Sequence, residues 1–423
     1  MILKPIAARI ITLILFFYPI LLLTVRGGMN ALFFILSGFS IYILINQREA
    51  ILTKLDNYVL FVGIGLSSGV LAVLLSQIWH WSFIFPSFDS PSRLLFAIPI
   101  FIVFRNIDAK TISTLQYGFP LGAISALLIA LFMQDYRINP VAVTAGLRAS
   151  NVFLNPIHFG DLALIMGLLS VFSLNWMGSD SRLVILLKVS GFLSGIIASS
   201  LSGTRSGWIA ILVVMIAWAI VKRKNWVYSL KRIMVLGACM LAVATVYFCT
   251  SEAQQRLHDT YQEIQLTVNG NLDSPIGLRF QISKAALKMF IENPIAGVGA
   301  DGFAPKIAEY AQSGLVTGKA AFIGGMEVHN HIFGSMARYG LLGLISALLI
   351  YLMPLLIFMK AVKQSGSYGR VGAMMGICLV LSFMVFGVTV EMFNLKMIAA
   401  FYGLTVAILL AVATSDAQHS DMN

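Results

Sequence analysis

Long apolar runs dominate this chain. They recur at about 10–25, 29–46, 58–78, 94–107, 111–133, 158–176, 183–200, 206–221, 232–250, 336–360, 371–390 and 394–413. Most approach the ~20 apolar residues that a helix needs to cross a bilayer. Inside hydrocarbon every backbone N–H and C=O must be satisfied within the segment, which selects the α-helix. The fourth run is the weakest. Its uninterrupted stretch LLFAIPIFIVF (94–104) lies between Arg93 and Arg105, and it could span only with snorkelling arginines and protein neighbours. Charged residues make up 11% of the chain, against roughly 25% in soluble domains. The expectation is an all-α polytopic membrane protein with about 12 transmembrane helices and one long helical loop between helices 9 and 10.

The net charge of +11 could suggest a nucleic-acid binder, but topology accounts for it. With both termini inside, the inner loops receive Arg48, Lys54, Arg105, Lys110, the cluster Lys222, Arg223, Lys224, Lys231 and Arg232, and Lys360, Lys363 and Arg370. The inner side then carries +10 and the outer side +1. Dropping the fourth span would put the five-residue cluster outside, against the positive-inside bias. The surplus is an orientation signal, and no nucleic-acid partner is needed. The first run follows Lys4 and Arg9 and has no small-residue cleavage site after it, so it reads as a retained helix rather than a signal peptide. Cys239, Cys249 and Cys378 lie in or beside apolar runs, with no CxxC spacing and no disulfide framework.

Three segments follow: 1–250 with nine helices, 251–328 as an outer loop, and 329–423 with three helices and a short tail. Hydrophilic loops of such length are uncommon unless functional. SEAQQRLHDTYQEIQLT reads as a polar helix, and LRFQISKAALKMFIEN (278–293) as an amphipathic one, with Leu278, Ile282, Ala285, Ala286, Met289 and Phe290 at helical spacing. Asn293-Pro294 ends that helix, and GVGADGF (297–303) makes a tight turn. So small a segment is expected to lie against the outer ends of the spans.

Ionisable residues at outward helix ends are functional candidates. Arg205, in LSGTRSGW (201–208), sits between two apolar helices, and its guanidinium can hold a phosphate bidentately or anchor a helix in lipid headgroups. Arg279 opens the amphipathic helix, where a cation opposes the macrodipole; it reads as half of an anion site made with the helix N-terminus, or as a solvated charge. His329 lies where the loop re-enters the membrane, in EVHNHIFGSMARYGLLGL (327–344), and suits general-base work or a capping role. His329 and His331 are two residues apart, so they make no i, i+4 zinc pair, and no metal site is expected. Arg148, His158 and Arg338 are further outward candidates for substrate contacts, with Asp161 just inside the sixth span. The turn GVGADG lacks the GK[ST] ending of a P-loop, so no nucleotide is expected.

TRSGW at a span end is followed by an Arg-led loop helix and NPxxGxG, then by His329-Asn330, nine residues and GLLG (340–343). In this order the pattern resembles the O-antigen ligase and polymerase superfamily of bacterial envelope glycosyltransferases. The resemblance covers most of the chain in topology and about 100 residues in motifs. It implies an inner-membrane enzyme that moves a glycan from undecaprenyl diphosphate to the lipid A–core oligosaccharide at the periplasmic face, without nucleotide, metal or other cofactor. It also implies that Arg205 and Arg279 bind the diphosphate and that His329 is the catalytic histidine, the nine-residue spacing to GLLG selecting His329 over His331.

Two arginines neutralising a diphosphate leaving group remove the need for an acid catalyst, while the histidine takes the acceptor proton. In-line attack would invert the anomeric centre. Within the superfamily the alternatives are O-antigen polymerase and then protein O-oligosaccharyltransferase, which usually carries a larger C-terminal region. A lipid-linked oligosaccharide flippase is the alternative from another class. Mid-membrane charged or broken-helix sites and two related halves would mark it.

Overall fold

The computed structural model describes residues 5–47, 56–132, 148–221 and 251–420. The ninth run, the 222–232 basic cluster, Arg48, Lys54, Cys239 and Cys249 lie outside the described residues. In chain order the helices are α1 Pro5–Thr24, α2 Gly28–Asn46, α3 Asn57–His80, α4 Asp89–Phe104, α5 Ala109–Ile112, α6 Leu115–Phe132, α7 Pro156–Phe172, α8 Arg182–Leu201 and α9 Ser206–Val221. The loop contributes α10 Ser251–Val268, α11 Pro275–Glu292, α12 Phe303–Gln312 and α13 Gly318–Met326, and the chain closes with α14 His331–Gln364, α15 Ser367–Gly387 and α16 Lys396–Ser420. No strand occurs among the described residues.

Among the described residues, nine helical segments are long and apolar enough to cross a membrane, and α7 and α9 are shorter apolar helices. The protein is therefore an all-α, multi-pass membrane protein. The most buried of these helices is the last. From Ile398 to Ala413, α16 is sequestered nearly throughout, because a helix apolar on every side finds its best surroundings at the centre of a bundle. Its few polar groups are met internally: Tyr402 donates to the Ile350 carbonyl at 2.9 Å, and Thr405 meets the Tyr18 hydroxyl at 3.2 Å.

The fourth span differs from expectation in how it handles its arginines. A short 3-10 turn at Phe85–Phe88 extends α4 backward, making a 20-residue apolar segment. Neither arginine snorkels. Arg93 is buried, donates to Asn30 at 3.0 Å and to the Asp89 carbonyl, and lies over the Phe34 ring. Arg105 is buried too and holds Asp56 through both guanidinium nitrogens, at 3.0 and 2.6 Å. Protein partners take the role that water would have played, because a buried charge persists only when paired.

At the end of the bundle away from the loop, Lys188 is fully buried and ties three segments together. Its ammonium donates to Gln116 at 2.9 Å, to the Ser173 carbonyl at 2.7 Å and to Asp180 at 2.8 Å.

The loop is a small helical layer docked on α14. Leu278, Ile282, Ala285, Ala286 and Met289 of α11 pack with Ile307, Tyr310, Ala320 and, from α14, Ala337. The polar helix and the amphipathic helix occur where the sequence pattern puts them, and α12 and α13 are additional to that pattern. The tenth span begins five residues early, at His331, and breaks at Gly340, whose φ of 62° and ψ of −141° are open to glycine alone. Segment 294–299 docks at this break: Val298 and Gly299 donate to the Ala337 and Arg338 carbonyls at 2.9 and 3.0 Å, and Leu341 donates to the Pro294 carbonyl at 2.7 Å. A side chain on Gly297 or Gly340 would collide with the facing backbone. The NPxxGxG and GLLG motifs are thus two halves of one joint.

Candidate active site

The site is assembled at one end of the bundle from three loop-end junctions. Asn155 caps α7 by accepting from the His158 amide at 2.9 Å, which fixes the 148–158 entry loop. Residues 202–205 turn the chain from α8 into α9, and the long loop delivers Arg279 and residues 327–331.

His329 has a φ of 58°, an unusual value for a residue with a side chain. The next residue explains how it is held. Asn330, not His329, caps α14, accepting from the Phe333 amide at 3.0 Å and donating to the Val388 carbonyl at 3.2 Å. With the capping role taken, the imidazole is left in the turn, partly open to solvent, with Nδ1 facing the Glu327 carboxylate at 3.7 Å. Burial, and then the positive charge of Arg279, push the His329 pKa down to about 4. The ring is neutral at pH 7.

Arg279 is reachable by solvent yet recessed among protein, and burial and the nearby Arg205 hold its pKa below the ordinary arginine value. Two neighbouring guanidinium groups whose charges oppose each other in this way are chemically suited to an anion. Arg205 is exposed at the start of α9. The geometry corrects one expectation: α11 starts at Pro275 behind the Ser274 cap, so Arg279 stands a full turn inside the helix and does not share an anion site with its N-terminus.

Glu391, which no sequence motif singles out, organises the site from the α15–α16 connection. One Glu391 oxygen accepts from the Val328 amide at 2.8 Å, and the Glu391 amide donates to Glu327 at 3.0 Å. Both its oxygens hold Arg338, one of them at 3.2 Å. Burial would raise the Glu391 carboxyl, but the Arg338 guanidinium outweighs it and holds the pKa below the ordinary value. Glu327 lies the other way, raised chiefly by burial. Nothing local marks Glu391, since its partners are more than 50 residues away in sequence; a carboxylate in the apolar context VTVEMF was the one available signal.

The secondary candidates divide. Arg148 donates to the carbonyls of Ser202 and Gly203 at 2.7 and 3.3 Å, bracing the turn that carries Arg205. His158 is buried, with Nδ1 on Asn155 at 2.8 Å, Nε2 without a partner, and His329 within electrostatic reach. Asp161 accepts from Ser206 at 2.8 Å, one residue past Arg205. Arg338 faces inward to Glu391 and lies over the Phe303 ring. Among the described residues, no three His, Cys, Asp or Glu side chains gather as metal ligands.

A multi-pass helical protein with paired arginines beside a neutral histidine at one membrane end is the class that fold and site define. Residues 190–348 match the family model for O-antigen ligase. The matched segment contains Arg205, Arg279, His329 and Arg338, while Arg148, His158 and Glu391 lie outside it. The chain is also similar to an uncharacterized protein of Haemophilus influenzae, 25% identical over 301 residues that cover 70% of this chain and 71% of that one. That match supports an activity of the ligase or polymerase type.

Proposed function

We propose that this protein is an O-antigen ligase of the bacterial inner membrane, an inverting glycosyltransferase with its active site on the periplasmic side. The donor is a glycan on undecaprenyl diphosphate, and the acceptor is a hydroxyl of the lipid A–core oligosaccharide. The observation that carries this reading is the turn at His329: a neutral imidazole, freed from capping by Asn330 and set beside Arg279, which in turn senses Arg205.

With Nδ1 toward Glu327, the favoured tautomer leaves the Nε2 lone pair for the acceptor hydroxyl. The hydroxyl oxygen forms a bond to the anomeric carbon as the bond from that carbon to the diphosphate oxygen breaks. The hydroxyl proton passes to His329, and the diphosphate leaves with its charge on Arg205 and Arg279. Glu327 stabilises the resulting imidazolium.

The test is the purified protein with lipid-diphosphate glycan and lipid A–core, read as a size shift on a gel. His329→Ala should lower the rate by roughly 10²–10⁴-fold, the usual contribution of a general base, and Arg205→Ala or Arg279→Ala should lower it similarly. Transfer should persist in EDTA. Undiminished activity of His329→Ala would overturn the mechanism, and a lengthened lipid-linked chain without core attachment would make the enzyme a polymerase instead.

A further inference from the structure

Beside the candidate active site, lined by both members of the Arg338–Glu391 pair, lies a cavity of about 300 Å³. It is bounded by α3, the start of α4, the first turns of α14 and residues 391–396, and neither His329, Arg205 nor Arg279 lines it. Its volume is at the lower end of small-ligand sites, about 300–1,000 Å³. Exposed Asp301, Asn394 and Lys396 stand at the mouth, and buried Leu94, Ile350 and His331 lie in its depth.

The charges are largely compensated. Lys396 pairs with Asp89 and Arg338 with Glu391, and Asp301 adds a further carboxylate. No cationic surplus is available for a phosphate, so an uncharged ligand rich in hydroxyls fits better than an anion. His331 is fixed edge-on against Tyr351 and Phe393, and its Nε2 has no hydrogen-bond partner, which is costly for a buried polar group. We infer that the cavity is a subsite for a sugar ring, held by the His331 imidazole in its depth and by Asp301 and Lys396 at its mouth. Resting on the function proposed above, this sugar belongs either to the acceptor oligosaccharide or to the donor glycan, next to the ring that reacts.

The test is His331→Phe, which keeps an aromatic ring against Tyr351 and Phe393 while removing the ring nitrogens, with Lys396→Met as a surface variant that leaves the interior untouched. In the transfer assay each should raise one substrate's KM about tenfold, the effect of one lost hydrogen bond. A rise for lipid A–core assigns the sugar to the acceptor, and a rise for the lipid-diphosphate glycan assigns it to the donor. A fall in kcat with both KM values unchanged, or no change in either variant, would overturn the subsite. A second readout does not depend on transfer: saturation-transfer NMR with glucose, galactose and N-acetylglucosamine as probes. Transfer to a probe in the parent protein that is lost in both variants supports the subsite even if the ligase reading fails. Equal transfer in parent and variants overturns it.

Discussion

At the scale of the residue, the site depends on which polar group takes which duty. Asn330 caps and His329 does not, and that division leaves an imidazole in a left-handed turn. In histidine-labelled protein, NMR titration should put the His329 pKa at about 4, so the ring stays a competent base as pH falls well below the ordinary 6.5. Replacing Arg279 with Gln removes a neighbouring positive charge, which favours the protonated ring and moves the pKa upward. A downward shift or none would contradict the placement. Glu391→Gln should destabilise the protein by about 3–5 kcal/mol, because Arg338 loses the carboxylate that it is hydrogen-bonded to. Thermal unfolding in detergent measures this, and Arg338→Met added to Glu391→Gln should recover part of the loss.

The break in α14 matters at the scale of the element. A continuous helix through Gly340 would leave segment 294–299 without the carbonyls and amide it now uses. Gly340→Ala puts a methyl group into the backbone of Ile295 and Ala296 in a conformation that L-residues avoid. It should destabilise the joint by at least ~1–3 kcal/mol, seen as faster hydrogen exchange at Val298, Gly299 and Leu341. Gly63 in α3, where an added methyl meets nothing within 4 Å, is the control and should tolerate Ala. The helices themselves were legible because an amphipathic or fully apolar pattern is a local property. The joint was visible only as punctuation: proline and glycines at both partners, with nothing in the sequence to say that they meet.

For the whole molecule, the two ends of the bundle have different work. One carries the loop layer, the paired arginines and His329, and the other is tied by Lys188 and its three partners. The proposed orientation puts the first end in the periplasm. A cysteine at Ser313, in the loop layer, should react with a membrane-impermeant maleimide in intact spheroplasts. One at Lys363, near the end of α14, should react only after permeabilisation. The reverse pattern would invert the topology.

Local sequence alone sets the all-α class, places the starts of the described apolar spans to within about five residues, and orders Arg205, Arg279 and His329 in a pattern that resembles a transferase family. Apolar length and periodicity set these, and both act within a single segment. Three-dimensional packing is what pairs Arg93 and Arg105 inside the protein and what brings Glu391 to brace the His329 turn. Those outcomes depend on which distant group fills a buried polar atom's need for a partner, and packing alone determines that.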